Sequence, residues 1–270
     1  MFELSSHGHD VHIGSGPQYP WGGLYGGQIV AQALRAATIS VDGDLEPHSI
    51  RAYFIRRGDS SEPIRYEVDR IRNGRSFATR RVVARQAIGA ILNAESSFQR
   101  PERSPAVQTV TMPEVPDPAS LPSVAWSPSF DRVDVPSEAV VGAPRDGNGR
   151  AVTWMRVTDP IDDSLSPAGQ LLHRCWLTFL SDDIPTEAVS RVHPGSSSAD
   201  WDDNRFAASL DHTVWFHRPV AADDWHLYDF TCLHLINGRG LALGHVFAPD
   251  GLHVATVAQE VLVRDGRDRD

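Results

Sequence analysis

The same order of predicted elements occurs twice in this chain, on either side of a proline-rich segment. Nine of the 19 prolines lie between Pro101 and Pro144. Proline lacks the N–H group that the interior of a helix or a central strand needs. We therefore interpret this segment as a linker or an irregular wrap between two domains. The predicted boundaries are residues 1–104 for the N-terminal domain, 105–147 for the linker and 148–270 for the C-terminal domain.

Each half is predicted to contain one long helix followed by antiparallel strands. Helical spacing of apolar residues predicts a helix over residues 28–37, and "SPAGQLLHRCWLTFL" (Ser166–Leu180) predicts a second one, with Pro167 in its first turn. Alternating segments follow both helices, and Asn73-Gly74 and Asp250-Gly251 mark tight turns. An apolar helix needs a sheet to cover it. The pattern therefore predicts an α+β fold, a double hot dog, in which two tandem curved antiparallel sheets each wrap a long helix.

Composition restricts the possible partners and the compartment. The formal net charge is -10 and all 25 basic side chains are arginine, which argues against nucleic acid or an anionic membrane as the main partner. The sequence shows neither an apolar run of the roughly 20 residues that span a bilayer nor a secretory signal. The two cysteines, Cys175 and Cys232, have apolar neighbours and are interpreted as reduced core residues. We expect a cytoplasmic protein.

Four glycines lie at the start of the first helix, in "WGGLYGGQIVAQALRAA" (Trp21–Ala37). A helix N-terminus offers free N–H groups to an anion. However, Gly26-Gly27-Gln28 lacks the lysine and hydroxyl of a P-loop, and no strand precedes the glycines as a dinucleotide site requires. We expect the glycines to allow a tight turn into the helix and a close approach to the sheet. Gly26, Gly27 and Gln28 are candidates for binding a substrate carbonyl or phosphate through main-chain amides.

Several segments resemble the acyl-CoA thioesterase II (TesB-like) family. They are "GGQIVAQAL", "HSIRAYFIRRGDSSEPIRYEVDRIRNGRSFATRRVVARQ", "SSFQ", "SLDHTVWFHRP" and "VATVAQEVLVR", and the resemblance is weakest in residues 1–15 and in the linker. It implies hydrolysis of fatty acyl-CoA to free fatty acid and CoA, by a water that an Asp, a Ser or Thr and a Gln activate. It implies no cofactor, because CoA is part of the substrate, and it implies a homodimer. Arginines are the expected contacts for the phosphates of CoA.

The resemblance also implies the catalytic residues. The aspartate falls at Asp182 in "LTFLSDDIP", with Asp183 as the alternative, the hydroxyl at Ser209, where the family commonly has threonine, and the glutamine at Gln259. An aspartate can take a proton from water while a hydroxyl and a carboxamide orient that water. Only the C-terminal half is expected to be catalytic, because the first helix carries no acidic residue. The segment "PGSSSADWDDN" is longer and more polar than is usual in the family, which leaves the acyl-chain preference open.

Two alternative functions fit a fold of this kind. A double hot dog could bind acyl-CoA or an acyl carrier without turnover. An enoyl-CoA hydratase would carry a His five residues after the helix-associated Asp, but Glu187 and Ala188 occupy the corresponding positions.

Other polar clusters are interpreted as structural. His7, His9 and His12 lie in a predicted loop, where histidines are more often solvated than metal-bound, and no metal site is expected. Asp211 and His217 share one face of a predicted strand. We interpret both as structural hydrogen-bonding residues rather than as a catalytic dyad.

Overall fold

The computed structural model describes residues 1–141, 149–162, 166–194 and 205–265. The polar segment "PGSSSADWDDN" (residues 194–204) lies outside these ranges from residue 195 onward. Within them the helices are α1 (Gly26–Ile39), α2 (Pro167–Ser181) and α3 (Pro185–Arg191). The strands are β1 (Leu4–Ser6), β2 (Val11–Gly14), β3 (Glu46–Phe54), β4 (Ile64–Asn73), β5 (Phe77–Gln86), β6 (Gly89–Gln99), β7 (Phe130–Val135), β8 (Arg150–Val157), β9 (Arg205–Ser209), β10 (Asp211–Phe216), β11 (His226–Ile236), β12 (Arg239–Phe247) and β13 (His253–Asp265).

The two halves share one continuous antiparallel sheet. Its order is β1-β2-β4-β5-β6-β3 in the N-terminal half and β10-β13-β12-β11-β8-β7 in the C-terminal half, with β9 alongside β13. The halves join where β3 pairs with β10, with Tyr53 opposite Asp211 and Ser49 opposite Trp215. The Arg51 guanidinium lies 5.3 Å from the Trp215 ring centroid across this seam. The predicted double hot dog is confirmed.

The long helices lie against each other inside the curved sheet. The predicted apolar stripe of α1, which includes Ile29, Val30 and Leu34, is buried in a core that contains residues from both halves. Burial of one such side chain contributes roughly 1.5–3 kcal/mol. The first half of α1 meets the last half of α2, since the Cys175 thiol contacts the carbonyl oxygen of Ala31 at 3.5 Å and the hydroxyl of Tyr25, the N-cap of α1, donates to the Phe179 carbonyl oxygen at 2.9 Å. The N-terminus of α1 therefore lies beside the C-terminus of α2.

The glycines at the start of α1 lie close to the sheet and also to the second helix. The helix begins at Gly26, so Gly26 and Gly27 lie in its first turn. A Cβ atom on Gly27 would lie 2.4 Å from the carbonyl oxygen of Phe179 in α2. The predicted close approach to the sheet is confirmed for Gly26, where a Cβ atom would lie 2.8 Å from the Phe54 ring of β3, and it is wrong for Gly27, which meets α2 instead.

The proline-rich segment covers the outer face of the C-terminal sheet. Its apolar side chains Val110, Met112, Val115 and Leu121 pack against a second apolar cluster that includes Trp154, Leu227 and Phe247. The segment also contains β7, which was not predicted and which pairs with β8 at the edge of the sheet. Pro128 and Pro136 lie on either side of β7, so its six residues keep every N–H group.

The N-terminal residues form a hairpin rather than the predicted loop. Strands β1 and β2 pair with each other, and β2 continues the sheet beside β4, with His12 buried. Both predicted tight turns are confirmed. Gly74 donates its N–H to the Phe77 carbonyl, and Gly251 has a φ of +83°. A further turn between β11 and β12, at Asn237-Gly238 with φ values of 53° and 71°, was not singled out from the sequence.

The described ranges were searched for a membrane-spanning helix and for a metal site, neither of which the sequence predicts. Every helix there is too short or too polar to cross a lipid bilayer. In the same ranges, His, Cys, Asp and Glu side chains form no group of three or more that could hold a metal ion. Both Cys175 and Cys232 are free and buried, as predicted.

Candidate active site

Asp182 is a buried carboxylate at the junction of the two long helices. It is the C-cap of α2, and only 5% of its surface is exposed. Its Oδ2 atom accepts the main-chain N–H of Gly27 at 2.7 Å. The N-cap residue of α1, Tyr25, makes no side-chain capping hydrogen bond. Asp182 therefore satisfies an orphan N–H of a helix that belongs to the other half of the chain.

Ser209 and Gln259 lie next to this carboxylate. The Ser209 hydroxyl donates to Asp182 Oδ1 at 3.3 Å, and Gln259 Nε2 donates to Ser209 Oγ at 2.7 Å. The structure thus brings together all three residues that the sequence resemblance implies, from a helix end, a strand end and the interior of β13.

A break between β9 and β10 places Ser209. The two strands pair with different parts of β13, and Ser209 lies opposite Val261. At the break, the Asp211 carboxylate accepts the N–H of Glu260 at 2.6 Å. The predicted structural role of Asp211 is thereby confirmed. The ring of His217 contacts the Thr256 hydroxyl at 2.9 Å rather than Asp211, as expected for a second structural residue.

Asp183 has a different environment from its neighbour. Its carboxylate accepts the indole N–H of Trp126 at 2.9 Å and a guanidinium N–H of Arg132. Arg132 also pairs with Asp134 and Glu187. Asp183 therefore anchors the proline-rich segment to the turn after α2, and it is Asp182 that contacts Ser209.

Burial raises the pKa of Asp182 to about 7. The hydrogen bonds from Gly27, Ser209 and Gln259 oppose this shift, and the negative charge of Asp183 adds to it. A carboxylate with a pKa near neutrality is suited to act as a general base at physiological pH.

His212 is a buried residue of this site to which the sequence pattern assigned no function. Its Nδ1 lies 2.5 Å from Gln259 Oε1, and its Nε2 lies 3.0 Å from Ser181 Oγ. Burial lowers the pKa of its ring to about 4, so the ring is neutral at neutral pH. The available signal is its position in β10, where it shares the buried face of the strand with Val214 and Phe216.

The three candidates for substrate binding have different environments. The Gly27 N–H is donated to Asp182. The Gln28 side chain accepts from the Tyr19 hydroxyl at 2.6 Å and donates to Gln32 at 3.4 Å, inside the protein. A Cβ on Gly26 would lie 2.7 Å from Asp182 Oδ2, so glycine is required beside the carboxylate. The first turn of α1 still offers the main-chain N–H groups of Gly26 and Gln28, for which a helix has no carbonyl partner.

The corresponding end of α1 carries no carboxylate. Its C-cap is Ser40, whose hydroxyl and carbonyl oxygens accept hydrogen bonds from the buried Arg80 at 2.7 and 3.0 Å. The expected asymmetry between the halves is thus visible in the structure, since a buried arginine holds the helix end that would match Asp182.

Comparison with known proteins assigns the family. The models of the acyl-CoA thioesterase N-terminal and C-terminal domains match residues 16–99 and 106–263. The chain belongs to the acyl-CoA thioesterase family. It is 34% identical to acyl-coenzyme A thioesterase 8 of Mus musculus over 266 aligned positions, and the alignment covers 89% of this chain and 80% of the relative. It is 32% identical to acyl-CoA thioesterase 2 of Haemophilus influenzae over 257 aligned positions, and that alignment covers 89% of this chain and 87% of the relative.

A solved structure of this thioesterase family has the same architecture. The acyl-CoA thioesterase II TesB2 from Mycobacterium marinum superposes with a TM-score of 0.85 at 32% identity, covering 100% of this chain and 97% of its own. The family resemblance inferred from the quoted segments is confirmed.

Proposed function

We propose that this chain is a hydrolase that cleaves fatty acyl-CoA to free fatty acid and CoA, with Asp182 as the general base. The observation that carries the proposal is a buried carboxylate whose pKa is raised to about 7 and which contacts Ser209 and the N-terminus of α1. Membership of the acyl-CoA thioesterase family supports the substrate class.

Water is the nucleophile in this mechanism. Ionised Asp182 takes one proton from it, while Ser209 and the Gln259 carboxamide orient the water. The water oxygen bonds to the thioester carbon and gives a tetrahedral oxyanion. When this intermediate collapses, the carbon–sulfur bond breaks, and the thiolate of CoA takes the proton from Asp182. The products are a carboxylic acid and the free thiol, and the base returns to its ionised form.

The start of α1 is suited to stabilise the oxyanion. The amides of Gly26 and Gln28 flank the Gly27 amide that Asp182 occupies, and they lie at the positive end of the helix dipole. Amides that are already fixed in place stabilise developing charge without reorganisation. In this proposal the N-terminal half supplies the groups that polarise the carbonyl, and the C-terminal half supplies the base.

We propose a homodimer in the cytoplasm that needs no cofactor, since CoA enters as part of the substrate. Light scattering would test the dimer against the 29.7 kDa of one chain. Activity that survives extensive dialysis against a chelator would support catalysis without a metal.

Release of CoA thiol from a panel of acyl-CoAs, short to long, tests the function. Wild type should turn over at least part of the panel, and Asp182→Asn should lose at least about 100-fold in kcat, the range expected when a general base is removed. Asp183→Asn should remain active. Wild type that binds acyl-CoA but releases no thiol would replace the enzyme with the binding-protein alternative, and a dead Asp183→Asn beside an active Asp182→Asn would move the base by one residue.

A further inference from the structure

We infer that His212 is a positioning residue, which sets the orientation of the Gln259 carboxamide and, through it, the direction of the Ser209 hydroxyl. The inference rests on the proposed function and concerns a residue that does not reach the substrate. Its basis is an unbroken series of contacts, buried at His212 and part-buried at Ser209, that runs from His212 through Gln259 and Ser209 to Asp182. The His212 Nδ1 atom itself lies 4.0 Å from Asp182 Oδ1, beyond hydrogen-bond distance.

The ionised carboxylate determines the direction of every bond in this series. A carboxylate only accepts hydrogen bonds, so the proton between Ser209 and Asp182 belongs to Ser209. Ser209 Oγ then accepts from its other neighbour, and that neighbour is the NH₂ group of Gln259, at 2.7 Å. The carboxamide oxygen of Gln259 consequently faces His212, and the group opposite it must be a donor.

These directions assign the tautomer of His212. Because Gln259 Oε1 has only lone pairs, the proton at the 2.5 Å contact lies on His212 Nδ1. The neutral ring then has a bare Nε2. It accepts the Ser181 hydroxyl proton at 3.0 Å, in preference to the Thr178 carbonyl oxygen that lies 3.2 Å from the same Oγ. The opposite tautomer would donate from Nε2 toward Ser181 or the Thr178 backbone, which also faces the ring. It would require a reversed Gln259 and would turn the Ser209 proton away from Asp182.

The other half of the chain shows that the sheet does not require this histidine. Strand β3 pairs with β10 at the seam, where Arg51 lies opposite Thr213. When the two strands are aligned on these two residues, "IRAYF" (residues 50–54) corresponds to "HTVWF" (residues 212–216). Ile50 therefore corresponds to His212, and it is also fully buried. The strand residue opposite Ile50 is Ser96, at the position that corresponds to Gln259. An apolar side chain fills the same place in the half that lacks the carboxylate.

Two substitutions separate positioning from packing. His212→Ile copies the residue of the matching strand and removes the donor, so Gln259 and Ser209 lose their fixed orientation. We expect kcat to fall about 10- to 100-fold with KM within about twofold, because misplaced catalytic groups lose rate rather than substrate affinity. His212→Asn places an amide N–H where Nδ1 lies, and it should recover most of the lost kcat. Both variants should keep the far-UV circular dichroism of wild type.

A matched control uses another buried histidine. The ring of His226 hydrogen-bonds the Asp224 carbonyl at 3.0 Å, away from the site. His226→Leu should lower the stability and leave kcat within about twofold of wild type. Unchanged kcat in His212→Ile, or equal losses in His212→Ile and His212→Asn, would overturn the positioning role.

Nitrogen-15 NMR of the wild-type histidines tests the same inference without turnover. The expected spectrum at pH 8 shows a protonated Nδ1 and a bare Nε2 for His212, identified by the loss of these signals in His212→Asn. A protonated Nε2 with a bare Nδ1 would overturn the assigned directions. Because this experiment needs no substrate, wild type that releases no thiol would reject the proposed function while the NMR result still decides the orientation of Gln259.

Discussion

Replacing Asp182 with asparagine should remove catalysis and change the pH dependence of stability. Burial raises the pKa of this carboxyl from 3.8 to about 7 in the folded protein. Between these values the folded state keeps a proton that the unfolded chain releases, so the free energy of unfolding falls as the pH rises through this window. The asparagine side chain does not titrate, and the variant should escape this loss.

The magnitude follows from the size of the shift. A difference of about three pH units, at 1.36 kcal/mol each, corresponds to about 4 kcal/mol between pH 4 and pH 8 as an upper limit. The variant has a cost of its own, because its NH₂ group faces Ser209, whose hydroxyl loses its acceptor at about 1 kcal/mol. Asp182→Asn should therefore be about 1 kcal/mol less stable than wild type at pH 4 and about 3 kcal/mol more stable at pH 8.

Urea unfolding of both proteins at each pH from 4 to 8 measures this difference directly. The comparison cancels the titration of groups that the two proteins share. Asp42→Asn is the control for the same substitution at the surface, because the Asp42 side chain is 97% exposed. A difference between wild type and Asp182→Asn that stays constant across the range would refute the raised pKa, and with it the argument for Asp182 as a base near neutrality.

Three further predictions concern the neighbourhood of the site and one distant histidine cluster. The kcat/KM of wild type should fall below about pH 7 as Asp182 takes a proton. Asp183→Asn should move this fall to lower pH, because it removes a negative charge that raises the pKa of Asp182. Identical pH–rate profiles for the two proteins would show that the two carboxyl groups are independent. Gly27→Ala should lower the free energy of unfolding by roughly 1–3 kcal/mol, since the new Cβ meets the Phe179 carbonyl; urea unfolding that matches wild type would contradict the close helix contact. Burial lowers the pKa of His253 to about 4 in the folded protein. As the pH drops from 6.5 to 4 the unfolded chain therefore takes up this proton first, and the stability of the folded protein should fall. His253→Gln should lose less stability over that interval, and melting temperatures that fall equally with pH in both proteins would contradict this.

Local patterns predicted the elements of this fold well. The two long helices, α1 and α2, start and end within about two residues of the predicted ranges, whereas the short helix α3 was not predicted. The Asn-Gly and Asp-Gly pairs lie at turns. Strands β1, β2, β7 and β9 were missed, because each has only three to six residues. Short alternating runs such as "VHIG" carry little periodicity by themselves.

The site depended on the family resemblance rather than on any local pattern. Asp182, Ser209 and Gln259 are ordinary polar residues in their own segments, and only the fold brings them together. The hydrogen bond from Gly27 to Asp182 joins residues 155 positions apart, so spacing could not reveal it. Periodicity does place His212 on the buried face of its strand, but the identity of its partners follows from three-dimensional contacts alone.

Strand β13 follows every other described strand in the sequence, yet it lies between β10 and β12 in the sheet. During synthesis, residues 253–265 must therefore leave the ribosome before β10 and β12 can pair with β13. Until then the nascent C-terminal half exposes two open strand edges, which favour pairing with other chains. The same strand carries Gln259, so a chain that stalls before this point is both prone to aggregation and without one of its proposed catalytic groups. Solubility and activity should accordingly appear at the same moment of synthesis.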